Sequence, residues 1–190
     1  KGNIIVLVGS RRTGKSYVLK DFIQRHKDEE DTNIIYIDKE KKDYKDIKTD
    51  AELNEFIEAR WEKGRHNYIL IDEVQDIEGY EKSVCNWYTE EKTDIIISGS
   101  NSKMLSSELS TRLSGRYIEI RVHPLSYIEF LQFHSLENND NSLMLYLTYG
   151  GLPGLRRIGI DNDEQVWEYL SSVFNTIMLK DIIERHSIRN

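Results

Sequence analysis

Residues 9–16 carry the most specific chemical signal in the sequence. They read Gly-Ser-Arg-Arg-Thr-Gly-Lys-Ser and match the Walker A pattern G-x-x-x-x-G-K-[ST]. Glycine allows backbone conformations in which successive amide groups point at phosphate oxygens. We expect Lys15 to reach the β and γ phosphates of a nucleotide and Ser16 to offer its hydroxyl to Mg²⁺. The predicted nucleotide site comprises Gly9, Ser10, Arg11, Arg12, Thr13, Gly14, Lys15, Ser16 and Tyr17.

Two carboxylates, Asp72 and Glu73, follow the apolar run Ile69-Leu70-Ile71. An acidic residue at the carboxyl end of a buried strand lies in the crevice where open α/β sheets bind ligands. We expect Asp72 to hold Mg²⁺ through water and Glu73 to polarise an attacking water as general base. Any strand can end in solvated carboxylates, so the prediction depends on the phosphate loop that accompanies them.

Polar residues also follow the apolar run 94–98. Ser100 and Asn101, with Ser98 ranked behind them, are candidates to hydrogen-bond the γ phosphate or the attacking water. Serine and asparagine are also ordinary turn formers, and this alternative stays open.

Arg112 and Arg116 lie shortly before the last predicted strand. An arginine at this point could project onto the γ phosphate of a neighbouring subunit and neutralise charge in the transition state. This arginine finger would require a homo-oligomer. The alternative is a pair of solvated or helix-end arginines.

These residues need a scaffold, and the hydrophobic pattern predicts an α/β fold. Amphipathic stretches of helical spacing, over 15–27, 49–64, 80–88 and 105–113, alternate with short apolar runs. Such runs, apolar on both faces, are typical of parallel strands covered by helices on both sides. The five predicted strands cover 3–8, 33–37, 68–71, 94–98 and 117–122.

From Pro124 onward the pattern predicts helices only. They cover Ser126 to His134, residues 142–149 and a long stretch from Val166 to Ile182, with a glycine-rich break at 150–154. We therefore predict two domains, an ATPase core over 1–123 and a small helical lid over 124–190. Arg156 and Arg157, just after the break, are candidates to link this lid to the γ phosphate.

The composition narrows the function classes. The 190 residues include 26 basic and 33 acidic side chains, a formal charge of −7, so the surface as a whole does not attract nucleic acid. One cysteine excludes a disulfide framework, and five scattered histidines show no metal-ligand spacing. Without a membrane-spanning run or signal segment, we expect a soluble, cytoplasmic protein with no membrane partner. The first residue, Lys1, suggests a piece of a longer chain.

Besides the phosphate loop, seven runs of the sequence carry a resemblance to a known family. They are 71–81, 98–102, 112–117, 124–126, 150–153, 180–182 and 188–190. Together they resemble the AAA-type ATPases of bacteria and archaea that carry a C-terminal domain of unknown function. The resemblance implies a five-stranded P-loop ATPase core, a helical lid, and a further winged-helix-like and nuclease-like region that the chain lacks. Any contact with DNA would then lie in that missing region.

The predicted function is Mg²⁺-dependent ATP binding and hydrolysis, coupled to a conformational change of the helical and missing regions. One alternative is a nucleotide-gated binding or regulatory module with slow turnover, which could associate with DNA. A GTPase or a small-molecule kinase is a second alternative. The sequence has no Asn-Lys-x-Asp or Thr-Lys-x-Asp guanine motif, and tandem Asp72-Glu73 favours activation of water.

Overall fold

One parallel sheet of five strands organises the first part of the chain. The computed structural model describes residues 2–100 and 115–178. The strands are β1 (Ile4–Gly9), β2 (Thr32–Asp38), β3 (His66–Asp72), β4 (Thr93–Ser100) and β5 (Tyr117–Arg121). Neighbouring strands follow the order β2-β3-β4-β1-β5 and every pair is parallel, which confirms the predicted fold class. Strand β4 therefore lies between β1 and β3.

Three α-helices accompany this sheet, α1 (Lys15–His26), α2 (Asp50–Glu58) and α3 (Tyr80–Trp87). Thr49 begins α2 with the predicted capping box, in which its hydroxyl accepts from the Glu52 backbone and the Glu52 carboxylate accepts from the Thr49 backbone. Two short 3-10 helices, Lys42–Tyr44 and Val74–Asp76, were not predicted, because three residues show no periodicity.

Strands β1, β3 and β4 are buried along most of their length, which explains why they are predominantly apolar. The edge strand β5 is exposed from Ile118 to Arg121. Alternate side chains of β1 point to opposite faces: Val6 and Val8 join one hydrophobic cluster, and Leu7 joins another. The first cluster includes Leu53 of α2 and Val84 of α3, and the second includes Leu19 of α1.

Helices alone build the second part of the chain. They are α4 (Tyr127–His134), α5 (Asp140–Tyr149), α6 (Leu155–Ile158) and α7 (Asp163–Ile177). Ser126 and Glu129 form the predicted capping box of α4. The core of this part contains Phe130, Tyr149, Leu155, Ile160 and Val166. The predicted helix at 105–113 and the predicted extension to Ile182 lie outside the described residues.

Contacts divide the chain into two compact units. One extends to Ser10 and continues from Lys15 to Val122, and the other joins Arg11–Gly14 to the residues from His123 onward. The domain boundary near residue 124 stays a prediction. Within 2–100 and 115–178, no helix has the length and apolar character needed to cross a membrane.

Candidate functional site

The Walker A segment connects the end of β1 to the start of α1, where the pattern requires it. Gly9 ends β1 and Lys15 begins α1. Arg12 and Gly14 have positive φ angles of 65° and 107°, so the backbone of the loop enters the region that glycine favours. The Lys15 side chain is buried, and its ammonium donates to the carbonyl oxygens of Gly9 at 3.0 Å and Ser10 at 2.9 Å. The Lys15 ammonium therefore bonds back to the first two residues of the loop.

The remaining predicted loop residues differ in exposure. Thr13 is buried, Arg11 and Ser16 are partly exposed, and Tyr17 is 70% exposed. Ser16 lies on the first turn of α1, beside Lys15. In the second compact unit, the Arg12 guanidinium lies 5.6 Å from the centroid of the Tyr169 ring, within cation–π distance.

Asp72 and Glu73 are buried where β3 ends. Asp72 is 1% exposed and Glu73 8% exposed. Glu73 adopts the left-handed conformation, with φ of 56°, which is uncommon for a residue with a side chain. Such a conformation costs on the order of 1–3 kcal/mol and persists only where the surroundings hold it.

Ser98 links the two acidic residues. It lies in β4, next to β3, and is fully buried. Its hydroxyl donates to Asp72 Oδ1, and its Oγ accepts a hydrogen bond from the Glu73 backbone N–H at 3.3 Å. The sequence analysis ranked Ser98 behind Ser100 and Asn101. In the structure, the Ser98 hydroxyl contacts both acidic residues.

Gln75 is a residue of the site that the sequence analysis missed. It lies in the 3-10 helix Val74–Asp76, and its side-chain Nε2 donates to Glu73 Oε2. A single sequence does not predict this contact, because a glutamine in a short turn is expected to face solvent.

A third carboxylate, Asp38, ends β2 opposite Asp72 in the sheet register. Burial raises the pKa of the Tyr36 hydroxyl well above its ordinary value, and the nearby Asp72 and Asp38 carboxylates raise it further. Tyr36 therefore stays protonated at neutral pH and donates to Asp38 Oδ2 at 3.4 Å. The adjacent carboxyl ends of β2 and β3 therefore carry two acidic side chains, Asp38 and Asp72.

The structure describes only two of the four remaining candidates for sensing or for an arginine finger, Ser100 and Arg116. Ser100 ends β4 and pairs with Gly9 in the register between β4 and β1. Asn101 and Arg112 lie outside the described residues. Arg116 is exposed directly before β5. Its role as an arginine finger stays a prediction.

The donor set fits a magnesium–nucleotide complex. Asp72, at the carboxyl end of β3, and Ser16, on the first turn of α1, offer the hard oxygen atoms that Mg²⁺ prefers. Lys15 is a buried cation within the loop, as a site for polyphosphate requires.

The fold is that of the P-loop NTPases. Residues 1–131 match the family model described as an AAA domain, so the chain belongs to the AAA domain family. The crystal structure of Cdc6p from Pyrobaculum aerophilum is similar in fold, with a TM-score of 0.51 and 12% identity. That similarity covers 69% of this chain and 42% of Cdc6p.

Two curated relatives match along the sequence, and both are uncharacterized. A protein of Haemophilus influenzae is 36% identical, and one of Methanocaldococcus jannaschii is 34% identical. Each match covers 98% of this chain but only 48% and 43% of the respective relative. The chain thus spans less than half the length of these relatives. A nuclease-like region in the remainder stays a prediction.

Ser98→Ala is expected to lower the free energy of unfolding by about 1–2 kcal/mol, because the buried Asp72 carboxylate loses a donor. It should also weaken Mg·ATP binding, since Asp72 is then less firmly oriented. Urea unfolding and nucleotide titration measure the two effects.

Ser83→Ala is the matched control, because Ser83 is equally buried and its hydroxyl donates to the Asp50 carbonyl at 3.0 Å. It should lose stability but keep its affinity for nucleotide. Equal nucleotide affinities in both variants would contradict the role given to Ser98.

Proposed function

We propose that the chain binds ATP with Mg²⁺ and hydrolyses it. The proposal rests chiefly on one observation: Ser98 in β4 ties Asp72 to the Glu73 backbone, and β4 pairs directly with β1, which leads into the phosphate loop. A turn with only a structural role would need neither the buried lysine in the loop nor the two buried carboxylates at the end of β3.

Each residue then has a defined task. The loop amides and the Lys15 ammonium bind the phosphates, and the start of α1 adds its positive dipole end. Glu73 accepts a proton from the attacking water, whose oxygen forms a bond to the γ phosphorus. The bond between the γ phosphorus and the bridging oxygen breaks, and its electron pair leaves with ADP.

Asp72 and Ser16 would hold the magnesium ion. When bound, Mg²⁺ neutralises charge on the phosphate oxygens. Ser98 keeps the Asp72 carboxylate oriented for this role through its hydrogen bond.

Steady-state phosphate release tests the proposal directly. The wild-type chain, with ATP or GTP and with or without Mg²⁺, should release phosphate only with ATP and Mg²⁺ together. Binding without release would instead support the nucleotide-gated module. Equal rates of phosphate release from GTP and from ATP would contradict the proposed selectivity for ATP.

We further propose that nucleotide binding is coupled to the helical unit. Arg11–Gly14 belong to that unit, in which Arg12 lies over Tyr169 of α7. A phosphate bound by the amides of this segment would therefore contact residues that belong to the helical unit.

Amide hydrogen exchange should detect this coupling. We expect protection within α7 to differ between ADP and a non-hydrolysable ATP analogue, because only the analogue carries a γ phosphate. Residues 50–58 of α2 serve as the internal control. Identical protection of α7 in both states would contradict the coupling and leave the ATP site unaffected.

A further inference from the structure

Glu73 is held at both its backbone and its side chain. The Ser98 hydroxyl accepts from the Glu73 backbone N–H, and the Gln75 amide donates to the Glu73 carboxylate. A general base must be held within hydrogen-bond reach of the water it deprotonates, and its rotamer must be fixed. The hydrogen bond from the Gln75 side chain contributes to this need.

A second observation concerns the other end of the Gln75 amide. Its Oε1 atom is buried and has no hydrogen-bond partner within residues 2–100 and 115–178. A buried amide oxygen without a partner is rare and calls for an explanation. It belongs to the same planar amide whose nitrogen contacts Glu73, so the unsatisfied acceptor lies beside the proposed base.

The two observations have one chemical explanation. A hydrolytic water has two O–H groups: one gives its proton to the base, and the other needs an acceptor to fix the orientation of the water. The Gln75 amide is suited to both requirements, because its nitrogen donates to the base and its oxygen has no hydrogen-bond partner in the part of the chain that the structure describes.

We infer that Gln75 is a positioning residue for ATP hydrolysis, holding Glu73 through its amide nitrogen and orienting the attacking water through its amide oxygen. This inference rests on the proposed ATPase function and deepens it. Gln75 takes no proton, which passes from the water to Glu73, and it has no part in binding the phosphates.

The test compares Gln75→Met with the wild-type chain. Methionine has nearly the same length but neither a donor nor an acceptor of useful strength. We expect kcat to fall by about tenfold or more, as for loss of a group that assists proton transfer, while KM and the dissociation constant of a non-hydrolysable ATP analogue change by less than about threefold. Gln132→Met, at an exposed position of α4, is the control and should match the wild type.

Two further variants separate positioning from a structural role. Gln75→Glu keeps an acceptor oxygen but replaces the donor with a second carboxylate, so its kcat should also fall while the fold is preserved. In the Glu73→Gln background, Gln75→Met should cause no further loss, because the base through which Gln75 acts is already absent. A merely structural glutamine would cause the same loss in both backgrounds.

The outcomes are distinct. If the wild-type chain hydrolyses ATP and Gln75→Met does so with an unchanged kcat, the inference about Gln75 is wrong and the ATPase function stands. A faster variant would likewise overturn it, since Gln75 would then restrain Glu73. If the wild-type chain binds the analogue but releases no phosphate from ATP, both the hydrolysis and the role of Gln75 are refuted.

Discussion

Lys15→Ala is expected to weaken ATP binding on the order of 30- to 150-fold, the equivalent of about 2–3 kcal/mol for a charge-assisted contact to phosphate. The ammonium lies inside the loop, on the carbonyl oxygens of Gly9 and Ser10. Its removal takes away the buried cation that would face the β and γ phosphates. Isothermal titration with ATP and ADP measures the change.

Lys27→Ala is the control for this variant, because Lys27 is an exposed lysine just beyond the other end of α1 and its loss changes the net charge equally. It should bind ATP as the wild type does. Thermal unfolding without nucleotide shows whether Lys15→Ala keeps its fold. A folded Lys15→Ala variant with wild-type affinity would contradict the assignment of the loop.

Glu73→Gln is expected to bind ATP normally and to lower kcat by about 10²- to 10⁴-fold, the range for loss of a general base. The amide keeps the shape of the side chain but is a very poor proton acceptor. Single-turnover hydrolysis at saturating ATP separates the chemical step from product release.

Glu81→Gln provides the comparison for this second variant. Glu81 is as buried as Glu73, with 7% exposure, and belongs to α3. Its turnover should stay close to that of the wild type. Equal single-turnover rates for Glu73→Gln and the wild type would remove Glu73 from the mechanism.

The central strands could be predicted from the sequence because they are buried on both faces. The run from Ile69 to Ile71 is apolar throughout and too short for a helix, so its pattern is unambiguous. The capping boxes at Thr49 and Ser126 were equally readable, because both partners lie three residues apart. Helix α6 was missed because four residues directly after Gly154 carry no periodic signal.

The site was only partly predictable, for a different reason. Lys15, Asp72 and Glu73 follow from motifs that are local in sequence. The contacts of Ser98 depend on which strands are neighbours, and an apolar pattern does not determine strand order. The contact of Gln75 with Glu73 depends on side-chain rotamers around a left-handed backbone, which no periodicity encodes.

The position of β4 between β1 and β3 also has a mechanical consequence. Both neighbours are bonded to it by continuous parallel ladders, so the strand carrying the phosphate loop and the strand carrying Asp72 are two strand spacings apart, about 9.6 Å. That separation is fixed, because widening it would break one of the two hydrogen-bonded ladders in the buried core. The proposed hydrolysis would then depend on side-chain rotamers and on the loop that joins β1 to α1, because the ladders hold the two strands at this separation.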